Sequence, residues 1–363
     1  MYKNSLKLYG HNMRVHSIDY LRGIMAFSVV LYHFFRISDS STILGRLGIY
    51  SVSTFYIISG MALFLSHKNE RWDVKNYLIF LFRRFIRLAP VYWLAMIFLF
   101  LFYSISSHKF TYDTIKIVQN ILLTFGITDP LGYMIIGGWS IGNEIVFYLF
   151  FPLIIASVFR EQTMIIMASL TILLFLYCSF YYMNNSEDLY KQWGDYINPI
   201  NQVYFFIFGV ILSKILLPYV GRAKRVSLLI IFVASLVFCL YPASGDQIHI
   251  VTNFEKIVFT LVVIFLSAAF FSLGDLKNTP AVHIPLKFLG DVSYSLYLLH
   301  GVALMFFGGF ISHCEILHSL GDFTLLVFMP PLLFAAWICH VYIERPIIVF
   351  GKNIMKNKEQ ILQ

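Results

Sequence analysis

Two ionisable residues, Arg22 and His33, stand inside the first long apolar run of the chain, Ile18 to Phe35. Eleven residues at 100° each return to nearly the same helix face, so one stripe would carry both side chains, about 16 Å apart along the axis. Asp19 and Arg36 fall close to that stripe. Ionisable groups in an apolar span are costly and face a bundle interior or a water-filled cavity. A cation at one end and a titratable imidazole farther along are the parts of a polar passage. The structural alternative is that Asp19 pairs with Arg22 and His33 hydrogen-bonds a neighbouring helix.

Three more clusters could take part in chemistry. Arg83, Arg84 and Arg87 precede an apolar run, and Arg84 and Arg87 share a helix face at i and i+3. Guanidinium forks bind phosphates bidentately, although arginines at a span end also anchor a helix to lipid headgroups. After Gly137-Gly138-Trp139, the residues Ser140, Glu144 and Tyr148 repeat every four positions on an otherwise apolar helix. Glu144 there can act as a base, pair with Arg22 or His33, or clamp helices. Ser293, Tyr297 and His300 share another face, and serine and tyrosine also join helices in membranes. His340 and Glu344, four apart, are expected to form a structural pair.

The elements that must position these groups are transmembrane helices. The 363 residues are 59% hydrophobic and 13% charged, against about 45–50% and about 25% in a soluble domain. That excludes a soluble globular enzyme and a disordered chain. Runs long enough to span a bilayer cover 17–36, 47–66, 88–106, 139–159, 163–182, 198–217, 226–241, 256–273, 288–311 and 323–343. The expected fold is an all-α polytopic transmembrane bundle of about ten spans, with 226–241 short enough to be tilted or re-entrant. An amphipathic stretch, Thr114 to Ile127, is expected at a surface. The chain reads as a single membrane domain over 1–363 (core about 16–350), with no appended soluble domain and no cleaved leader.

Ten spans place both termini on one side. Of the 27 Lys and Arg, 20 then fall on the terminal side and 6 opposite, with Arg22 inside a span. Positive residues favour the cytoplasmic side, so both termini are expected there. The basic residues form no aromatic-interleaved soluble face, so no nucleic-acid partner is expected. Cys178, Cys239, Cys314 and Cys339 show neither metal-ligand nor disulfide spacing, and no metal is expected.

Five segments in order resemble the membrane acyltransferase-3 family, the bacterial O-acyltransferases of envelope polysaccharides. Ile18-Asp19-Tyr20-Leu21-Arg22-Gly23, running on to Tyr32-His33, is similar to its first helix. Arg84-Phe85-Ile86-Arg87 with Leu88-Ala89-Pro90-Val91-Tyr92-Trp93 resembles its RxxR motif. Trp139-Ser140-Ile141-Gly142-Asn143-Glu144, with Phe147-Tyr148 and Phe151-Pro152, resembles another of its helices. Ser293-Tyr294-Ser295-Leu296-Tyr297-Leu298-Leu299-His300 and Tyr342-Ile343-Glu344-Arg345-Pro346 are similar to its last two. The chain departs from the family at Ile49 to Phe55, which carries no charge, and at Ile145, where a second acid is common. The latter counts against a two-carboxylate mechanism.

The resemblance implies transfer of an acyl group, most often acetyl, from cytoplasmic acyl-CoA as co-substrate to a saccharide hydroxyl at the inner membrane. It implies His33 as general base or acyl carrier, with Glu144 and Arg22 in the catalytic set. Arg84, Arg87 and Arg22 would hold the donor, and Glu144 or Ser140 would orient the imidazole. Asp19, Trp139, Ser140, Tyr148, Ser293, Tyr297 and His300 would line or support the site. The acceptor is an envelope polysaccharide or a lipid-linked saccharide. A transporter or flippase of lipid-linked saccharides would use similar polar stripes without cleaving a thioester.

Overall fold

The computed structural model describes residues 15–106, 113–311, 314 and 319–351. Long helices form where the apolar runs lie: α1 (His16–Phe35), α2 (Ile43–His67) and α3 (Val74–Ile105). A short α4 (Thr114–Leu122) precedes α5 (Trp139–Ser157) and α6 (Glu161–Phe180). Then follow α7 (Val203–Leu216), α8 (Lys224–Leu240), α9 (Asn253–Leu273), α10 (Pro280–Ile311) and α11 (Thr324–Cys339), which continues through a π-helical turn, His340–Glu344. Among the described residues, eight segments are long and apolar enough to cross a membrane, the last being Gly321–Gly351. Ten helices occupy the ten expected positions. The segment Val203–Tyr219 and α8, at 17 residues, are the short ones.

Several boundaries moved. The third helix starts fourteen residues before the expected 88, because the Asp73 carboxylate accepts the Asn76 N–H at 2.7 Å and caps it there. Hydropathy marks the greasy window, whereas the cap sets the start, so Arg83, Arg84 and Arg87 lie within the helix rather than at its mouth. The amphipathic stretch is two helices, broken at Leu123 with φ 56° before a single turn at Phe125–Thr128. Asn120 is buried and ties it to the bundle, accepting the Met134 N–H at 3.0 Å and the Tyr92 hydroxyl and donating to the Gly132 carbonyl at 2.8 Å.

Two cations counted above among the loop charges are internal clamps. Arg46, 3% exposed, donates to the carbonyls of Ser40 (2.7 Å), Phe238 (2.6 Å) and Tyr241 (2.8 Å). It thereby satisfies the last carbonyls of α8, which have no partner within their own helix. Lys256, also 3% exposed, donates to the Cys178 carbonyl (3.1 Å) and to Asn201 Oδ1 (2.9 Å).

The bundle centres on α1, which runs parallel to α10. Gly23 and Gly290 meet at their crossing so closely that a Cβ on Gly23 would lie 2.5 Å from the Gly290 nitrogen. Small residues at such crossings let two backbones touch within a membrane. Farther along, His33 lies against His300 and Phe34 against Phe307. This pairing brings the Arg22/His33 stripe and the Ser293/Tyr297/His300 stripe to one interior.

Candidate active site

Two stacked cavities occupy that interior. The first, about 80 Å³, is bounded by Arg22 of α1, Arg84 and Arg87 of α3, Ser140, Glu144 and Tyr148 of α5, and Ser293 and Tyr297 of α10. Eight residues singled out from four separate segments thus share one space. Asp19 pairs with Arg22 at 2.8 Å, as in the structural alternative, yet Arg22 still faces the cavity. Glu144 accepts the Tyr148 hydroxyl at 2.5 Å. The three guanidinium groups and one carboxylate leave an excess of positive charge, which suits an anionic ligand.

Arg84 is held from behind by groups that the sequence reading passed over. Its guanidinium donates to His67 Nε2 at 3.0 Å and lies over the Phe80 ring. Because arginine only donates, Nε2 is the accepting nitrogen, so His67 carries its proton on Nδ1 and gives it to Glu70. The signal was available: His67 and Glu70 stand three apart at the end of a helix.

The second cavity, about 140 Å³, is lined by Tyr32, His33, Tyr133, Trp139, Trp193, Tyr196 and Tyr297. Tyr297 belongs to both cavities and divides them. Its hydroxyl lies 3.0 Å from Ser140 Oγ and 3.0 Å from the Gly137 carbonyl. Gly137, at φ +79°, turns the chain into α5 in a region where a side chain would meet the Tyr297 ring. His33 also borders a wider vestibule of about 500 Å³ with Arg36 and Asp322.

Neither ring nitrogen of His33 has a hydrogen-bond partner among the described residues. Its ring stands 4.9 Å from that of Tyr32 and 5.0 Å from that of His300. His300 is fully buried: Nδ1 donates to the Tyr297 carbonyl at 2.5 Å, and Nε2 is unpartnered among the described residues. The expectation that Glu144 or Ser140 orients the imidazole is corrected. Ser140 donates to the Gly137 carbonyl at 2.9 Å, Glu144 holds Tyr148, and both face the arginine cavity, one layer from His33. Trp139 lines the His33 cavity. Ser293 donates to the Gly290 carbonyl at 2.8 Å.

His340 and Glu344 pair at 3.0 Å, and Ser295 donates to the same carboxylate at 3.1 Å. Trp193, Tyr133 and Tyr196, all from segments between spans, went unmarked because isolated aromatics in an aromatic-rich chain carry no spacing signal. Burial pushes the Tyr133 phenol above its ordinary range, opposed by the bond from Trp193, so it keeps its proton.

The family profile described as "Acyltransferase domain" matches residues 15–349. The chain is similar to the O-acetyltransferase OatA of Staphylococcus aureus strains NCTC 8325 / PS 47, COL and MRSA252, each 24% identical over 365 residues, covering 91% of this chain and 56% of theirs. The chain therefore spans about half the length of these curated relatives. No solved structure matches.

Proposed function

This chain belongs to the acyltransferase-3 family, and on that premise we propose that it is a multi-pass membrane O-acetyltransferase. It takes acyl-CoA, with acetyl as the favoured group, from the Arg84 end and a saccharide hydroxyl from the His33 end. One observation carries the reading: Tyr297 lines both the arginine cavity and the His33 cavity, so a donor and an acceptor entering separately meet at one residue. The excess of basic residues on the terminal side supports a cytoplasmic Arg84 end.

Each group then has a task. Arg84 and Arg87 hold donor phosphates while the narrow pantetheine arm carries the thioester past Arg22 toward Tyr297. A sugar hydroxyl is a poor nucleophile, and the unpartnered imidazole of His33 accepts its proton as the oxygen attacks the thioester carbon. The carbon–sulfur bond breaks, CoA leaves as the thiolate, and the histidine returns the proton to it. Alternatively the imidazole takes the acyl group first and passes it to the hydroxyl, which lets donor and acceptor visit in turn. Arg22, which faces the arginine cavity, is a donor for the charge that gathers on the carbonyl oxygen.

The test follows radiolabelled acetyl-CoA in inverted membrane vesicles containing the wild-type chain or His33→Ala. Wild-type vesicles should release CoA and label a glycan fraction. The variant should insert normally and lose about 10²- to 10⁴-fold of the rate, the usual share of a general base. Substantial transfer by His33→Ala removes His33 from the chemistry. A wild-type chain that cleaves no thioester in the presence of acceptor favours transport instead.

A further inference from the structure

The His33 cavity has walls that the transfer reaction alone does not require. Besides Tyr297 and His33, five of its side chains are aromatic: Tyr32, Tyr133, Trp139, Trp193 and Tyr196. Trp193 packs at 5.2 Å from Tyr196 and 5.9 Å from Trp139, and its indole N–H donates to the Tyr133 hydroxyl at 2.9 Å. That bond uses Tyr133 as acceptor, so its own proton has no acceptor among the described residues. The Tyr196 hydroxyl, in a residue only 4% exposed, likewise has no partner there. The cavity therefore presents flat apolar faces together with unspent hydroxyl donors, beside an imidazole free to accept.

A pyranose matches that combination. Its axial C–H bonds form a weakly apolar face that stacks on aromatic rings, while its hydroxyls and ring oxygen point outward at the edge. The cavity, about 140 Å³, shares His33 with the wider vestibule of about 500 Å³. A neighbouring space offers a contrast. The groove between α3, α10 and α11 is about 580 Å³ and lined by Phe98, Phe306, Phe310 and Leu332, with no hydroxyl among its lining. It suits hydrocarbon.

We propose that the aromatic cavity is a subsite for a single pyranose ring of the acceptor, with Trp193 as its stacking platform and Tyr133 as its hydrogen-bond donor. The next sugar of the acceptor lies in the vestibule that His33 shares with Arg36 and Asp322. This rests on the acyltransferase reading above, but it has a readout of its own in direct binding.

The probes are methyl glycosides of glucose, galactose and N-acetylglucosamine, with sorbitol as an acyclic polyol lacking a ring face. Binding to the purified full-length chain in detergent is followed by tryptophan fluorescence, and acyl transfer is assayed in parallel. At least one glycoside should quench the wild-type signal and be acylated, with sorbitol at least tenfold weaker. Trp193→Ala should raise the acceptor KM at least tenfold with the acetyl-CoA KM within twofold. Trp193→Phe should stay within about threefold and shows that the fold tolerates a change there, and Tyr133→Phe should raise the acceptor KM without removing the platform. The proposal is overturned if no glycoside binds the wild-type chain, if sorbitol performs as well as the glycosides, or if Trp193→Ala moves the donor KM instead. Glycoside binding without any thioester cleavage would overturn the acyltransferase reading while leaving the sugar subsite standing.

Discussion

Gly23→Ala adds one methyl group at the α1–α10 crossing. The new Cβ would sit 2.5 Å from the Gly290 nitrogen, 2.6 Å from the Leu289 carbonyl carbon and 2.8 Å from Leu289 Cβ, where ordinary contact begins at 3.4 Å. The atoms in the way are chiefly backbone, so no rotamer change relieves them. The helices must separate locally by about 0.9 Å, the gap between those two distances. Overpacking of this kind costs about 1–3 kcal/mol, which a bundle of this size survives. The effect on the site is larger than on the fold. Arg22 and His33 ride on α1 while Ser293, Tyr297 and His300 ride on α10, and a misplacement of about 1 Å costs about 10²-fold in rate. The expected result is a folded, membrane-inserted chain whose kcat/KM for acetyl transfer falls about 10²-fold. Gly309→Ala, on α10 with its nearest neighbour at 3.9 Å, serves as the control and should stay within twofold. The assay is label transfer in vesicles with protein quantified by blot, paired with a melting curve in detergent. Gly23→Ala with near wild-type activity would refute the claim that this crossing sets the register of the site.

The remaining predictions are simpler. Arg84→Ala combined with Arg87→Ala should raise the KM for acetyl-CoA at least tenfold while affecting acetyl-pantetheine, which lacks the nucleotide phosphates, by less than threefold; equal effects on both donors would make these arginines structural. Arg46→Met should destabilise the fold by about 3 kcal/mol, because several buried carbonyls lose their donor at about 1–3 kcal/mol each with partial relaxation. A melting curve checks this, and an unchanged midpoint would contradict the clamp.

Some features were legible because they depend only on local rules. Ten apolar runs predicted ten helices, since a backbone in lipid must satisfy its own hydrogen bonds. The i, i+4, i+8 spacing of Ser140, Glu144 and Tyr148 predicted one face, and the structure turns that face to a cavity. The stripe from Arg22 to His33 was read correctly as interior. What failed was partnership. Glu144 was read as a base, a partner of Arg22 or His33, or a clamp, and with Ser140 as a support for the imidazole; in the structure its carboxylate accepts the hydroxyl of Tyr148, one turn along the same helix. Arg46 and Lys256 were counted as loop charges because a cation near a span end is ordinarily solvated. Only the tertiary contacts of Arg46 with the end of α8, and of Lys256 with the end of α6 and the turn before α7, show the carbonyls and amide that they satisfy.

Composition, hydropathy and helical periodicity are properties of neighbours along the chain, and they determine that this protein is a membrane helical bundle with charged stripes turned inward. Which stripes meet, and at what depth, depends on contacts between residues more than 100 positions apart. Examples are Gly23 against Gly290, Ser140 against Tyr297 and His33 against His300. The same holds for the aromatic cavity, whose walls come from the first two spans, two connecting segments, α5 and α10. No periodicity links those residues. They become a site only when close packing at glycine crossings brings separate helices within reach of one another, and that decision belongs to the tertiary structure.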